Sequence, residues 1–121
     1  MRNGRMVALI VTATVVCGAG WLRAQPRGER TTITGEVVDM WCYLEGGDRG
    51  ASKKACATAC AKAGNPIAIL DAKGDLYVAA GLKDHQPAQT LLLEKMSEQV
   101  TVSGTLVKKG STQMLYIESV R

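Results

Sequence analysis

The alternation of apolar and polar positions after residue 30 predicts short β-strands that are separated by turns. β-branched residues are concentrated in residues 31–40, which we expect to form the first strand, with a bend or bulge at Gly35. Later apolar runs, bounded by glycine, proline and aspartate, predict four more strands. These four runs are residues 66–70, 76–80, 99–107 and 113–120.

Two further segments have the composition and boundary signals of helices. Ser52 can cap a helix over residues 53–63, which is rich in alanine and lysine and ends before Pro66. Pro87 suits the first turn of a second helix that extends to Met96, with apolar side chains along one side.

The order of these elements predicts the fold class. Without the first helix, which carries two cysteines, the order is five strands with one helix between the third and fourth strands. This is the order of the OB-fold barrel. We therefore predict a mainly β protein, a five-stranded OB-like barrel with an inserted cysteine-bearing helix and a second helix between strands 3 and 4.

The N-terminal segment has the pattern of an export signal. Two arginines precede an uncharged, mostly apolar run over residues 6–22, which predicts a signal peptide over residues 1–24 and a periplasmic or extracellular protein. An uncleaved membrane anchor formed by the same run is the alternative, because about 20 apolar residues span a bilayer. Cys17 is interpreted as an apolar residue of this run. Residues 25–31 are predicted to be a flexible leader and residues 32–121 a single domain.

Charge and aromatic content argue against a nucleic-acid partner. The whole chain has a formal net charge of +4, but three of its arginines precede residue 25, so the remaining chain carries about +1. Aromatic residues make up 4% of the chain and phenylalanine is absent, so stacking platforms for single strands are poorly supported. We expect a small ligand or a protein partner, whose identity the sequence does not specify.

Cys42, Cys56 and Cys60 are the strongest chemical signal in the chain, because an odd number of thiols in an oxidising compartment cannot all pair. Cys56 and Cys60 are four residues apart, so on a helix their Cβ atoms lie about 6 Å apart, whereas a relaxed disulfide needs about 3.8 Å. We therefore predict a disulfide from Cys42 to Cys56 or to Cys60, with one spare thiol. The alternatives are a copper or zinc site formed by all three cysteines, and thiol redox chemistry or an intermolecular bridge.

Other potential ligands have simpler structural explanations. His85 is flanked by residues typical of an exposed loop. Met40, Met96 and Met114 can offer thioethers to copper, but each lies in an apolar strand or helix pattern and is expected to pack in the core. Trp41 is expected to be a core anchor.

No catalytic arrangement is evident, and we predict that the protein is not an enzyme. The carboxylates fall at predicted strand ends or turns, where solvation and turn formation explain them. Neither a nucleophile elbow nor a glycine-rich phosphate loop is present. The carboxylates in question are Glu36, Asp39, Asp71 and Asp75.

The chain resembles a group of small exported bacterial proteins of unknown function with a Trp-Cys…Cys-x3-Cys pattern. The resemblance lies in residues 35–39, Trp41-Cys42-Tyr43, the segment from Cys56 to Cys60 and the closing run over residues 100–104. It implies an OB-like barrel with an inserted helix and brings no established activity. Members of this group often have a histidine shortly before the first helix cysteine, where this chain has Ser-Lys-Lys-Ala, so a metal site that uses that histidine is not carried over.

Taken together, these patterns predict a small exported binding or accessory module with a disulfide-stapled cysteine helix. No cofactor is expected in that function. The alternative is a soft-metal (copper or zinc) or thiol-redox protein that uses Cys42, Cys56 and Cys60.

Overall fold

A closed five-stranded barrel forms the centre of the computed structural model, which describes residues 26–121. The strands are β1 (Glu29–Asp39), β2 (Ile67–Asp71), β3 (Leu76–Gly81), β4 (Gln99–Lys109) and β5 (Thr112–Val120). Their order around the barrel is β1-β2-β3-β5-β4, and β4 pairs with β1 to close it. Only β3 and β5 are parallel neighbours. This arrangement confirms the predicted fold class.

The predicted signal peptide or anchor, including Cys17, lies outside the described residues. Within residues 26–121, none of the helices has the length and apolar character needed to cross a bilayer.

Three short α-helices and two 3-10 turns connect the strands. The helices are α1 (Met40–Gly46), α2 (Lys54–Lys62) and α3 (Gln89–Leu92), and the 3-10 turns are Ala51–Lys53 and Leu93–Lys95. Helix α2 matches the predicted cysteine helix, and α3 lies between β3 and β4 as expected. The predicted helix over residues 87–96 is shorter, because the backbone leaves helical geometry at Leu92 (φ −120°) and continues as a 3-10 turn.

Helix α1 was not predicted and replaces the end of the first predicted strand. The strand stops because the Asp39 carboxylate accepts a hydrogen bond from the backbone N–H of Cys42 at 2.9 Å, which caps a helix there. Gly47, at φ 71°, ends the helix in the left-handed region. As a result Trp41, Cys42 and Tyr43 are helical rather than extended.

Strand β1 begins earlier than expected, at Glu29, which pairs with Leu106 of β4. Residues 29–31, assigned to the flexible leader from the sequence, are therefore part of the barrel. The reason is the length of β4, whose backbone groups offer β1 a continuous antiparallel ladder.

Position 35 requires a glycine because the backbone of β2 packs closely against it, not because the strand bulges there. Gly35 pairs with Asp71 of β2 on one side and with Val100 of β4 on the other, and the β1–β4 register runs through it without a shift. A side chain at this position would collide with the backbone carbonyl of Leu70.

The apolar residues form two clusters. The larger one fills the barrel, where Val37, Val102 and Leu115 are completely buried. Ala57 and Ala61 of α2 belong to it, so α2 packs directly on the barrel. The smaller cluster consists of Val38, Ala68 and Leu70, and Met40, Tyr43 and Leu76 pack against it. Helix α1 therefore lies over β1 and β2 without burying any of its own residues completely.

Candidate metal centre

Three thiols meet where α1 faces α2. Cys42 is on α1, while Cys56 and Cys60 are on α2. The Cys42 Sγ atom lies 3.7 Å from Cys60 Sγ and 4.0 Å from Cys56 Sγ, and all three sulfur atoms lie within 4.8 Å of one another. All three cysteines are free thiols; Cys56 is exposed, and the other two are half-buried. The structure thus brings together the three cysteines that the sequence singled out.

The position of Cys42 is set by the ends of α1 and by the loop that follows. The Asp39 cap fixes the first turn, and the backbone N–H of Gly47 donates to the Tyr43 carbonyl at 2.8 Å. Beyond the helix, the Glu36 carboxylate accepts a hydrogen bond from the backbone N–H of Gly50. Strand β1 therefore holds both the start of α1 and the loop that leads to α2.

The rotation of α2 is set by its contact with the barrel. Ala57 and Ala61, one turn apart, are its two buried residues. Cys56 and Cys60 each precede one of these alanines, so they lie together on the neighbouring face. Small side chains at the buried positions allow α2 to lie close to the barrel, and this places its two sulfur atoms within reach of Cys42.

The neighbours of Cys42 hold its thiol proton tightly. Hydrogen bonding to the Asp39 carboxylate is the largest cause, followed by hydrogen bonding to Cys60, desolvation and the proximity of Cys56; together they raise the pKa of Cys42 from 9.0 to about 12. A bound cation reverses this effect, because its positive charge stabilises the thiolate and displaces the proton.

Asp39 is the residue of the site that the sequence analysis missed. It was explained as a solvated strand-end carboxylate, but it is only 1% exposed. One oxygen caps α1, and the other, Oδ1, has no hydrogen-bond partner among the described residues. An aspartate three positions before the cysteine is a capping pattern, and that was the available signal.

Glu36 and Asp71, two other carboxylates considered from the sequence, differ in their burial and in their hydrogen bonds. Glu36 is also buried rather than solvated, as its contact with Gly50 requires. Asp71 does form a turn, as predicted, since its Oδ1 accepts from the backbone N–H groups of Lys73 and Asp75, each at 2.9 Å. The hydroxyl of Tyr77 donates to the same carboxylate at 3.3 Å.

The other candidate ligands lie apart from the sulfur atoms. The His85 side chain is 93% exposed in the loop after β3, as predicted. Met96 is completely buried in the barrel, and Met40 packs on the smaller cluster, while Met114 is half-buried in β5. The expectation that Trp41 anchors the core was wrong, because α1 turns its side chain outward and leaves it 66% exposed. Within residues 26–121, only the three cysteines form a group of metal-ligating side chains.

The spacing of the sulfur atoms suits a shared ion. Two Zn–S bonds of about 2.3 Å at a tetrahedral angle place their sulfur atoms about 3.8 Å apart. A disulfide needs sulfur atoms about 2.05 Å apart, so a bridge requires Cys42 to move toward one neighbour. The site can therefore hold a soft cation with little rearrangement, or form one disulfide after a small displacement.

Comparison of the chain with protein-family models, with curated proteins and with solved structures finds no match. Function is therefore inferred from the residues of the site.

Proposed function

We propose that this protein is a small exported metal-binding module that holds one thiophilic cation, zinc(II) or copper(I), through Cys42, Cys56 and Cys60. The observation that carries the proposal is the triangle of sulfur atoms, all within 4.8 Å of one another. Thiolates are the ligands that these two ions share, whereas magnesium and calcium require oxygen. Export is supported by the charge and hydropathy pattern of residues 1–24.

The surroundings of the site favour an exchangeable ion over a structural one. Neither apolar cluster includes a cysteine, so the barrel core is complete without a metal. Cys56 is exposed, which gives an incoming or outgoing ion access to at least one ligand. We infer that the ion is bound and passed on at the rim of the barrel.

The test is metal titration of the full chain after reduction and chelation, in the absence of oxygen. Competition with a chromogenic chelator, for Zn(II) and separately for Cu(I), should show one equivalent bound per chain. Cys42→Ser and Cys60→Ser should each lose most of the affinity, since removal of one of three thiolate ligands leaves an incomplete site. Ala59→Ser is the matched control, because it places a hydroxyl at an exposed position of the same helix and should leave binding unchanged.

A stability measurement gives an independent readout. A ligand that binds only the folded state raises the free energy of unfolding with the logarithm of its free concentration over its dissociation constant. The thermal midpoint of the reduced protein should rise with metal and return to its starting value with chelator. Equal behaviour of the parent protein and the cysteine variants would overturn the proposal.

A disulfide-stapled binding module is the second candidate. The observation that favours it is the 3.7 Å separation of Cys42 Sγ and Cys60 Sγ, which is shorter than the 4.0 Å between Cys42 Sγ and Cys56 Sγ. In that case the isolated protein has one reactive thiol, and its thermal midpoint falls on reduction and is insensitive to metal.

A further inference from the structure

We infer that the three cysteines also form a thiol–disulfide relay, in which Cys56 reacts first with a low-molecular-weight disulfide, Cys42 resolves the adduct, and Cys60 becomes the final partner of Cys42. The relay uses the sulfur atoms of the proposed metal site but does not require a metal. Its end state is a Cys42–Cys60 disulfide with Cys56 again a free thiol.

Exposure determines which sulfur reacts first. An incoming disulfide must reach the attacking sulfur along the axis of its own S–S bond, so access limits the first step. Cys56 is exposed, while Cys42 and Cys60 are half-buried between the two helices. Cys56 is therefore the point of entry.

Position determines which sulfur resolves the adduct. Cys42 Sγ lies within 4.0 Å of both other sulfur atoms and comes from a different helix. Cys56 and Cys60 are one turn apart on α2, and helical spacing separates their Cβ atoms by about 6 Å, more than a relaxed bridge allows. A bridge from Cys56 can form only with Cys42 unless α2 unwinds.

Each of the three thiol–disulfide exchanges forms one sulfur–sulfur bond and breaks another. The Cys56 thiol loses its proton and its sulfur attacks the disulfide RSSR, forming the mixed disulfide of Cys56 and RS; the departing RS⁻ takes up that proton and leaves as RSH. Cys42 then attacks the Cys56 sulfur while its proton passes directly to the departing RS⁻, so no free Cys42 thiolate has to form first; the Cys42–Cys56 bond forms and the second RSH is released. Finally Cys60 attacks the Cys42 sulfur, the Cys42–Cys60 bond forms, and Cys56 leaves and receives the Cys60 proton. In total, two protein thiols lose two electrons and one RSSR becomes two RSH.

The last exchange is favoured by the geometry of the site. Cys42 Sγ is closer to Cys60 Sγ, at 3.7 Å, than to Cys56 Sγ, at 4.0 Å. The Cys42–Cys60 pair is also the less exposed one, and a shielded disulfide is less open to attack by external thiols. The exposed nucleophile is thus regenerated while the oxidised pair is protected.

If the proposed function holds, the relay also controls the metal. Formation of the Cys42–Cys60 disulfide removes two of the three thiolate ligands, so oxidation releases the ion. A bound ion in turn occupies all three sulfur atoms and should block the first step.

The relay is tested on the reduced full chain with excess chelator, so that failure of metal binding has no effect on the result. Oxidised glutathione is added, samples are quenched with acid and alkylated, and the thiols are mapped by peptide mass. We expect a transient glutathione adduct on Cys56, followed by a protein with a Cys42–Cys60 bridge in which Cys56 is the one alkylatable thiol of the three-cysteine site.

Variants isolate each step. Cys42→Ser should accumulate the Cys56 adduct, and Cys60→Ser should stop at a Cys42–Cys56 bridge with no thiol left in the site. Cys56→Ser should slow oxidation by about tenfold or more, since entry then needs a half-buried sulfur. Ala59→Ser should oxidise at the parental rate. A first adduct on Cys42 or Cys60, a final free thiol at Cys42 or Cys60, or parental oxidation of Cys56→Ser would overturn the relay.

Folding of the variants is checked by circular dichroism. Where a variant does not fold, the mapping of the parent protein decides alone, because the relay requires both the adduct on Cys56 and the final Cys42–Cys60 bridge.

Discussion

Asp39 acts on both the backbone and the thiol of Cys42. Its Oδ2 accepts a hydrogen bond from the backbone N–H of Cys42, which starts α1, and its carboxylate is the main reason that the pKa of Cys42 rises to about 12. A buried carboxylate with one oxygen free of partners among the described residues is costly unless something nearby balances it, and a thiol proton or a cation at the sulfur atoms does so.

The first residue-scale prediction concerns the pH at which Cys42 reacts with an external alkylating reagent. In the reduced, metal-free protein, alkylation of Cys42 should stay slow at pH 9 and accelerate only as the pH approaches about 12. Asp39→Asn removes the carboxylate charge and keeps a capping oxygen, so the midpoint should move down toward 9.0. Peptide-resolved alkylation against pH measures this shift. An unchanged midpoint in Asp39→Asn would show that Asp39 is not its cause.

The raised pKa of Cys42 also makes the free energy of unfolding depend on pH. Because the folded state holds the Cys42 proton more tightly than the unfolded chain, this contribution is complete below pH 9.0 and is lost as the pH rises toward 12. The alkaline decline of the free energy of unfolding should be shallower in Cys42→Ser, in which position 42 carries no titrating thiol. Equal slopes in denaturant titrations of the two proteins would contradict this expectation.

At the residue scale, the sequence predicted the grouping of the cysteines better than it predicted the role of the carboxylate of Asp39. Cysteine spacing alone excluded the helical Cys56–Cys60 bridge and pointed to Cys42 as the third member of the group. The burial of Asp39 and the exposure of Trp41 were missed, because both depend on the chain turning into α1 at Met40. Alternation of apolar residues does not reveal this turn, and the capping pattern at Asp39 was its only signal.

Among the secondary-structure elements, α1 shows how one cap can override strand propensity. Trp41, Cys42 and Tyr43 follow a β-branched run and favour extension, yet a single aspartate cap and a glycine end allow a seven-residue helix. Helix α2 was easier to predict, since its alanine content and Gly64 agree with it. The predicted cap by Ser52 was wrong, because Ser52 lies in the 3-10 turn before the helix and no side chain caps α2. Strand lengths were predicted less well, because they depend on pairing with a partner strand, as β1 does with β4.

Gly35 gives a prediction at the scale of the strand pair. Gly35→Ala forces a methyl group against the backbone of β2, and overpacking of this kind costs about 1–3 kcal/mol of the free energy of unfolding. Gly46→Ala is the matched control, because the nearest atom to a Cβ there is an Asp48 side-chain oxygen at 3.8 Å. Urea titrations of the two variants measure the difference. The close approach of β1 and β2 would be refuted by equal midpoints.

For the whole molecule, the closed barrel carries the stability, and the three cysteines lie on the helices outside its core. Leu115 of β5 is completely buried in the barrel cluster, whereas Leu44 of α1 is 65% exposed. Barrel closure joins β1 to β4, two strands far apart in the sequence, so the core forms as one unit. The strand order was predictable from the order of elements, since few topologies fit five strands with a helix after the third.

Replacing a leucine by alanine in the barrel and in α1 tests whether the barrel carries most of the stability. Leu115→Ala should reduce the free energy of unfolding by about 2–5 kcal/mol, as expected for a cavity in a packed core. Leu44→Ala should change it by no more than about 0.5 kcal/mol. Thermal and denaturant unfolding of the reduced, metal-free protein provide the values. Comparable losses in both variants would place α1 within the cooperative core.

The direction of β1 separates the sulfur atoms from the start of the described chain. The strand begins at Glu29 and ends at Asp39, and 11 extended residues span at most about 36 Å. Cys42 follows the far end of that strand, while Pro26 lies at the near end beside Leu82 and Lys83. The length of β1 therefore lies between Pro26 and the three thiols, so a molecule that approaches the thiols does not have to pass the start of the described chain.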